Sequence, residues 1–148
     1  MSSTKKETIE LFVKQLKSFA EVLRDRFPDE SFFKKGVTAI TAMKTLSPEK
    51  CMKLFIANSY KYREHVMAKN EYALLNHDYT EGILEIAKET SEDITTERSI
   101  ELIGTLKEYW CDLDSEEKEN MWKYLQVLMV LADKYLQEKM SKKVGLFR

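Results

Sequence analysis

Two histidines, His65 and His77, and two cysteines, Cys51 and Cys111, are the side chains of this 148-residue sequence best suited to metal ligation, nucleophilic attack or proton transfer near neutral pH. A carboxylate metal site inside a helical bundle needs Glu-x-x-His pairs on facing helices. Here Tyr62 stands three residues before His65 and Leu74 three before His77, and neither His-Glu-x-x-His nor Cys-x-x-Cys occurs. The sequence therefore predicts no metal site and no cofactor. Asn76-His77-Asp78-Tyr79 sets a histidine beside an aspartate, the makings of a dyad, but adjacent residues rarely converge on one substrate. Asn and Asp are turn and cap formers, so the run reads as a turn with Asp78 capping the next helix. Cys51 falls in the first turn of an expected helix, where a thiolate is favoured, yet no histidine lies in sequence reach to serve as its base. It reads as a small packed residue. With four glycines in the chain and no Gly-rich loop for phosphate, no catalytic residues are assigned and the expectation is a protein that is not an enzyme.

Charge is the second source of candidates. Lys and Arg number 24 against 25 Asp and Glu, a formal charge of −1 that rules out a globally basic nucleic-acid binder. Its distribution is uneven. Residues 34–69 hold eight basic and two acidic side chains, and residues 78–101 hold eight acidic and two basic ones. Lys50, Lys53, Lys61 and Arg63 form a candidate basic face for RNA, DNA or an acidic partner, with Tyr60 and Tyr62 as stacking platforms. The plainer reading, preferred here, pairs the basic block with the acidic one and commits Tyr62 to the core.

These residues must be positioned by helices, because four Gly and two Pro are too few for the turns of an all-β domain. Thr4-x-x-Glu7 is a capping box opening a helix that carries Ile9, Phe12, Leu16, Phe19 and Leu23 until Phe27-Pro28. Its strict a/d spacing could also serve a homo-oligomer through this first helix, although a bundle needs the same stripe. Asp29 is expected to cap a second helix with Phe32, Phe33, Val37, Ile40 and Met43 on one side and Gly36 as its weak point. Ser47-Pro48 starts a third helix, expected to run unbroken over 48–69 with Met52, Phe55, Ser59, Tyr62 and Val66. A turn or short helix is expected over 70–79, then a segment with Ile83, Leu84, Ile86 and Ala87 and a polar loop at 89–93. Thr95 or Thr96 caps a helix bearing Ile100, Ile103, Leu106 and Trp110, and Asp114-x-x-Glu117 opens the last one. That helix carries Met121, Trp122, Leu125, Leu128, Met129, Ala132, Tyr135 and Leu136, and because Val127 to Ala132 is apolar on all sides it is expected to be central and surrounded.

The predicted fold is all-α, a single-domain bundle of five to six helices over 1–140 with the last long helix central, followed by a basic, unsupported tail over 141–148. The longest apolar run is six residues where a membrane span needs about 20, so no membrane partner is expected. Glu7, Glu10 and Lys14 break the N-terminal segment as a signal peptide, and two cysteines 60 residues apart suit a reducing, intracellular setting.

Leu106-Lys107-Glu108-Tyr109-Trp110 and Glu119-Asn120-Met121-Trp122-Lys123-Tyr124-Leu125-Gln126-Val127-Leu128, with Leu75-Asn76-His77-Asp78-Tyr79, resemble an uncharacterised protein family of large nucleocytoplasmic DNA viruses of algae and protists. The resemblance is strongest over 72–136. Met121 departs from the aliphatic residue of that family, and no catalytic residue is carried over. It implies a viral protein of the virion or the host cytoplasm. The functional expectation is a non-enzymatic helical protein–protein interaction module of a large DNA virus. The alternative is a nucleic-acid-binding accessory protein using Lys50, Lys53, Lys61 and Arg63, and a weaker third is an enzyme assembled from scattered carboxylates.

Overall fold

The computed structural model describes residues 4–79 and 96–145, with side chains over 4–79 and 101–140. The described helices are α1 (Lys5–Arg26), α2 (Ser31–Leu46), α3 (Pro48–Ser59), a 3-10 turn (Tyr60–Tyr62), α4 (Arg63–Met67), α5 (Glu71–Asn76), α6 (Thr96–Asp112) and α7 (Ser115–Gly145). No strand occurs among the described residues, and none of their helices is long and apolar enough to cross a membrane.

Local chemistry explains most boundaries. The Glu7 N–H donates to Thr4 Oγ1 at 3.2 Å and starts α1. The Phe27 N–H reaches Leu23 O at 2.9 Å and ends it before Pro28, which has no N–H to continue the ladder. The cap of α2 is Glu30, not Asp29: the Glu30 N–H closes a turn onto Phe27 O at 3.1 Å, which leaves Asp29 inside the turn and Glu30 Oε1 facing the Phe32 N–H at 3.3 Å. Ser47 precedes Pro48 as expected but makes no side-chain cap bond, so the fixed φ of proline does the starting. At α7 the capping box is complete, Glu117 N–H to Asp114 Oδ1 at 2.8 Å and Asp114 N–H to Glu117 Oε1 at 3.1 Å.

The helix expected over 48–69 is broken. It tightens into the 3-10 turn at Tyr60–Tyr62, where side chains three apart eclipse, and this brings Tyr60 and Arg63 onto the same carboxylate, Asp133 of α7. Helix α4 then stops in a Schellman motif, with Asn70 N–H to His65 O at 2.8 Å, Lys69 N–H to Val66 O at 3.1 Å and Lys69 itself at φ 53°.

The core forms two clusters joined by α7. In one, Ile9, Phe12 and Val13 of α1 and Cys51 and Met52 of α3 meet Leu128, Leu131, Ala132 and Tyr135. In the other, Phe27, Phe33 and Leu113 meet Met121. Helix α7 is thus the spine of the bundle, packed against α1 and α4. It is not sheathed on every side: Val127 and Val130 are 42% and 50% exposed, because the faces toward α1 and α4 leave the stripe of Lys123, Val127, Val130 and Lys134 open. Its helical backbone continues five residues past Met140, to Gly145. The seam of α1 is used inside the chain, where Ile9 and Phe12 are buried and Leu16, Phe19 and Leu23 pack against the clusters.

Candidate functional site

The four cations singled out by sequence do not converge. Lys50 and Lys53 are exposed on α3, and Lys61 is exposed with its Nζ 5.4 Å from the ring centroid of Tyr62. Arg63 is engaged elsewhere: its Nε lies 2.9 and 3.0 Å from the two Asp133 oxygens and its Nη2 2.8 Å from Oδ2. Burial opposes the Asp133 charge, yet Arg63 and the Tyr60 hydroxyl hold its carboxyl below the usual range. Lys69 pairs with Glu119 of α7. The basic block therefore finds Asp133 and Glu119 in α7. Residues 80–95 of the acidic block lie outside the described residues, as do the expected helix after Asp78, the 89–93 loop and the Thr95 cap.

Tyr60 hydrogen bonds to Asp133, and Tyr62 is half-buried, not core: it packs edge-on against His77 and Tyr79, with ring centroids 5.1 and 5.5 Å away. Cys51 is buried and burial pushes its thiol up, the opposite of an activated nucleophile, while Cys111 is exposed. Glu49 accepts from the Tyr135 hydroxyl at 2.6 Å and from Lys5 at 3.0 Å. A hollow of about 330 Å³ at the start of α7 is lined by carboxylates including Glu117 and Glu119, which already bind Arg26 and Lys69. Among the described residues no three His, Cys, Asp or Glu side chains form a group that could hold a metal ion.

What sequence reading missed is a pair of apolar cavities beneath α6. The helix is pinned at its edges: Tyr109 O–H donates to Glu30 Oε2 at 2.9 Å, Trp110 Nε1–H donates to Glu71, and Arg26 reaches Asp112 O at 3.2 Å. Tyr109 also stacks on Phe27 at 4.3 Å between centroids. Between these anchors and the bundle lies a cleft of about 430 Å³, walled by Phe19 and Leu23 of α1, Phe32, Phe33, Gly36 and Ile40 of α2, Leu106 and Trp110 of α6, and Met121 and Leu125 of α7. Among the described residues, no Lys, Arg, His, Asp or Glu side chain lines it. Leu106, Trp110 and Leu125 also line a second cavity of about 230 Å³, toward α5.

Apolar surface entering such a cleft would leave water, a gain of roughly 25 cal/mol per Å². Among the described residues of its lining, the Tyr109 hydroxyl is the one titratable group, and it already donates to Glu30. The sequence put Phe32 and Phe33 on one side of α2 with Gly36 as its weak point; in the structure Phe33 is buried and Phe32 is 41% exposed, and both wall the cleft. Comparison with protein-family models, curated proteins and solved structures finds no match.

Proposed function

We propose that this chain is a non-enzymatic helical interaction module that docks a protein partner by receiving the apolar face of a partner helix in the cleft between α1, α2 and α6. One observation carries the reading: a cleft of about 430 Å³ with no ionised side chain among the described residues of its lining sits beside a helical glycine, Gly36, whose missing Cβ would meet nothing within 4 Å. A glycine inside a helix costs about 1 kcal/mol relative to alanine. Neither a positive φ nor a close neighbour requires it at position 36, where it lines the cleft. Helix-in-groove recognition uses apolar anchors of this kind, with aromatic walls that bury much area at low entropic cost.

The resemblance over 72–136 supports, as part of the same proposal, a setting in the virion or infected-cell cytoplasm of a large DNA virus. The nucleic-acid alternative rests on Lys50, Lys53 and Lys61, since Arg63 is held by Asp133. The test uses wild-type and Gly36→Leu protein as paired baits in one infected-cell extract. A protein retained by the first and lost from the second supports docking in the cleft. Equal retention by both contradicts it.

A further inference from the structure

We infer that the second cavity, between α5, α6 and α7, is a binding site for a small monocarboxylate with an aliphatic or arylalkyl body. This stands apart from the docking cleft, from which Leu106, Trp110 and Leu125 divide it. Its volume is about 230 Å³, against about 150 Å³ for an apolar cavity that takes up benzene. A chain of about eight carbons or a ring with a short tail is the matching size. Both tryptophans of the sequence, Trp110 and Trp122, line it, edge to face with centroids 5.1 Å apart.

The polar groups at its edge set the charge of the ligand. Glu71 lines the cavity, but its Oε1 accepts from Trp110 Nε1–H and from Lys118 Nζ at 2.8 Å, and those bonds, that of Lys118 first, keep the carboxylate ionised and paired. Lys107 lines the cavity as well. It donates one N–H to His77 O at 3.1 Å, and its Nζ stands 5.2 Å from the centroid of Tyr79. Among the described residues no carboxylate pairs with Lys107, and an ammonium has three N–H donors. Among the described residues of the lining, Glu71 is thus neutralised by Lys118, which does not itself line the cavity, and Lys107 is the one ammonium there without a carboxylate partner. That arrangement selects an apolar body ending in an anion, with Lys107 as the charge-assisted donor.

The experiment titrates octanoate and 1-octanol, which share a chain and differ in the anionic end, against the wild-type protein at neutral pH, read by tryptophan emission. Octanoate should bind about tenfold or more tightly than octanol, the gain of a hydrogen bond to a charged group. In Lys107→Gln the ratio should fall to about one with octanol affinity unchanged, which also shows that the variant is folded, and Lys107→Arg should keep the preference. Equal affinities in the wild type, no tryptophan response to either compound, or a preference that survives Lys107→Gln would overturn the assignment. The Gly36→Leu baits report on the other chamber, so the two proposals fail separately.

Discussion

Arg63, at the start of α4, and Asp133, near the middle of α7, form a two-pronged ion pair, with Nε 2.9 Å from Oδ1 and Nη2 2.8 Å from Oδ2. The Tyr60 hydroxyl shares the same carboxylate, so one aspartate fixes both ends of the 3-10 turn against the spine of the bundle. Replacing Asp133 by alanine removes the acceptor that Tyr60 and Arg63 share, leaving Arg63 its 3.3 Å contact with Glu64, and should cost about 1.5–3 kcal/mol, measured by urea unfolding. A loss below about 0.5 kcal/mol would mean that the turn holds without it.

Asp133 and Tyr135 are two of the groups that make stability depend on pH. The carboxyl of Asp133 lies lower in the folded chain than the ordinary value of about 3.9, so its contribution is present above about pH 4 and is lost as pH falls through the folded value. At the other end, burial and the bond to Glu49 push Tyr135 up to about 12. That contribution is complete below the unfolded value of about 10 and is lost as pH rises through about 12. Unfolding midpoints against pH should show the alkaline loss reduced in Tyr135→Phe and the acid loss reduced in Asp133→Asn.

Lys69 adopts φ 53° at the position where Schellman motifs favour glycine. Lys69→Gly should relieve about 1 kcal/mol of backbone strain and forfeit the exposed, salt-screened Lys69–Glu119 pair, for an outcome between neutral and stabilising. A clear loss in thermal unfolding would show that the ion pair outweighs the strain.

Trp122 is 6% exposed and meets Trp110 edge to face. Trp122→Ala should cost about 3–5 kcal/mol in denaturant unfolding. A cost under about 1 kcal/mol would mean that the chain side of the α6 cavities is not packed as described.

Helical period and caps made the all-α bundle legible in the sequence: the α1 stripe, the Ser47-Pro48 start and the Asp114–Glu117 box stand where those signals put them. The errors have local physical reasons. Asp29 lost the cap to Glu30 because a turn closes at Phe27–Glu30 first, and 48–69 breaks at a 3-10 turn whose partner carboxylate, Asp133, lies about 70 residues away in sequence, where local periodicity does not reach. Exposure of Val127 and Val130 depended on how many neighbours α7 would have, which composition does not encode. The cavities were hidden for the same reason. Phe33, Leu106 and Trp110 read as ordinary core residues, and only the placement of α6 opens space between them.

The central claim, that the cleft beside Gly36 is a ready-made apolar binding site, is tested most directly by titrating N-phenyl-1-naphthylamine, a neutral fluorophore that brightens on leaving water, against wild type and Gly36→Leu. The wild type should bind it, and the leucine, whose Cβ enters open space on the cleft wall, should weaken binding by about tenfold or more while raising helix stability by about 0.5–1 kcal/mol. Equal binding by both proteins, or a Gly36→Leu variant that is less stable than wild type, would contradict the account.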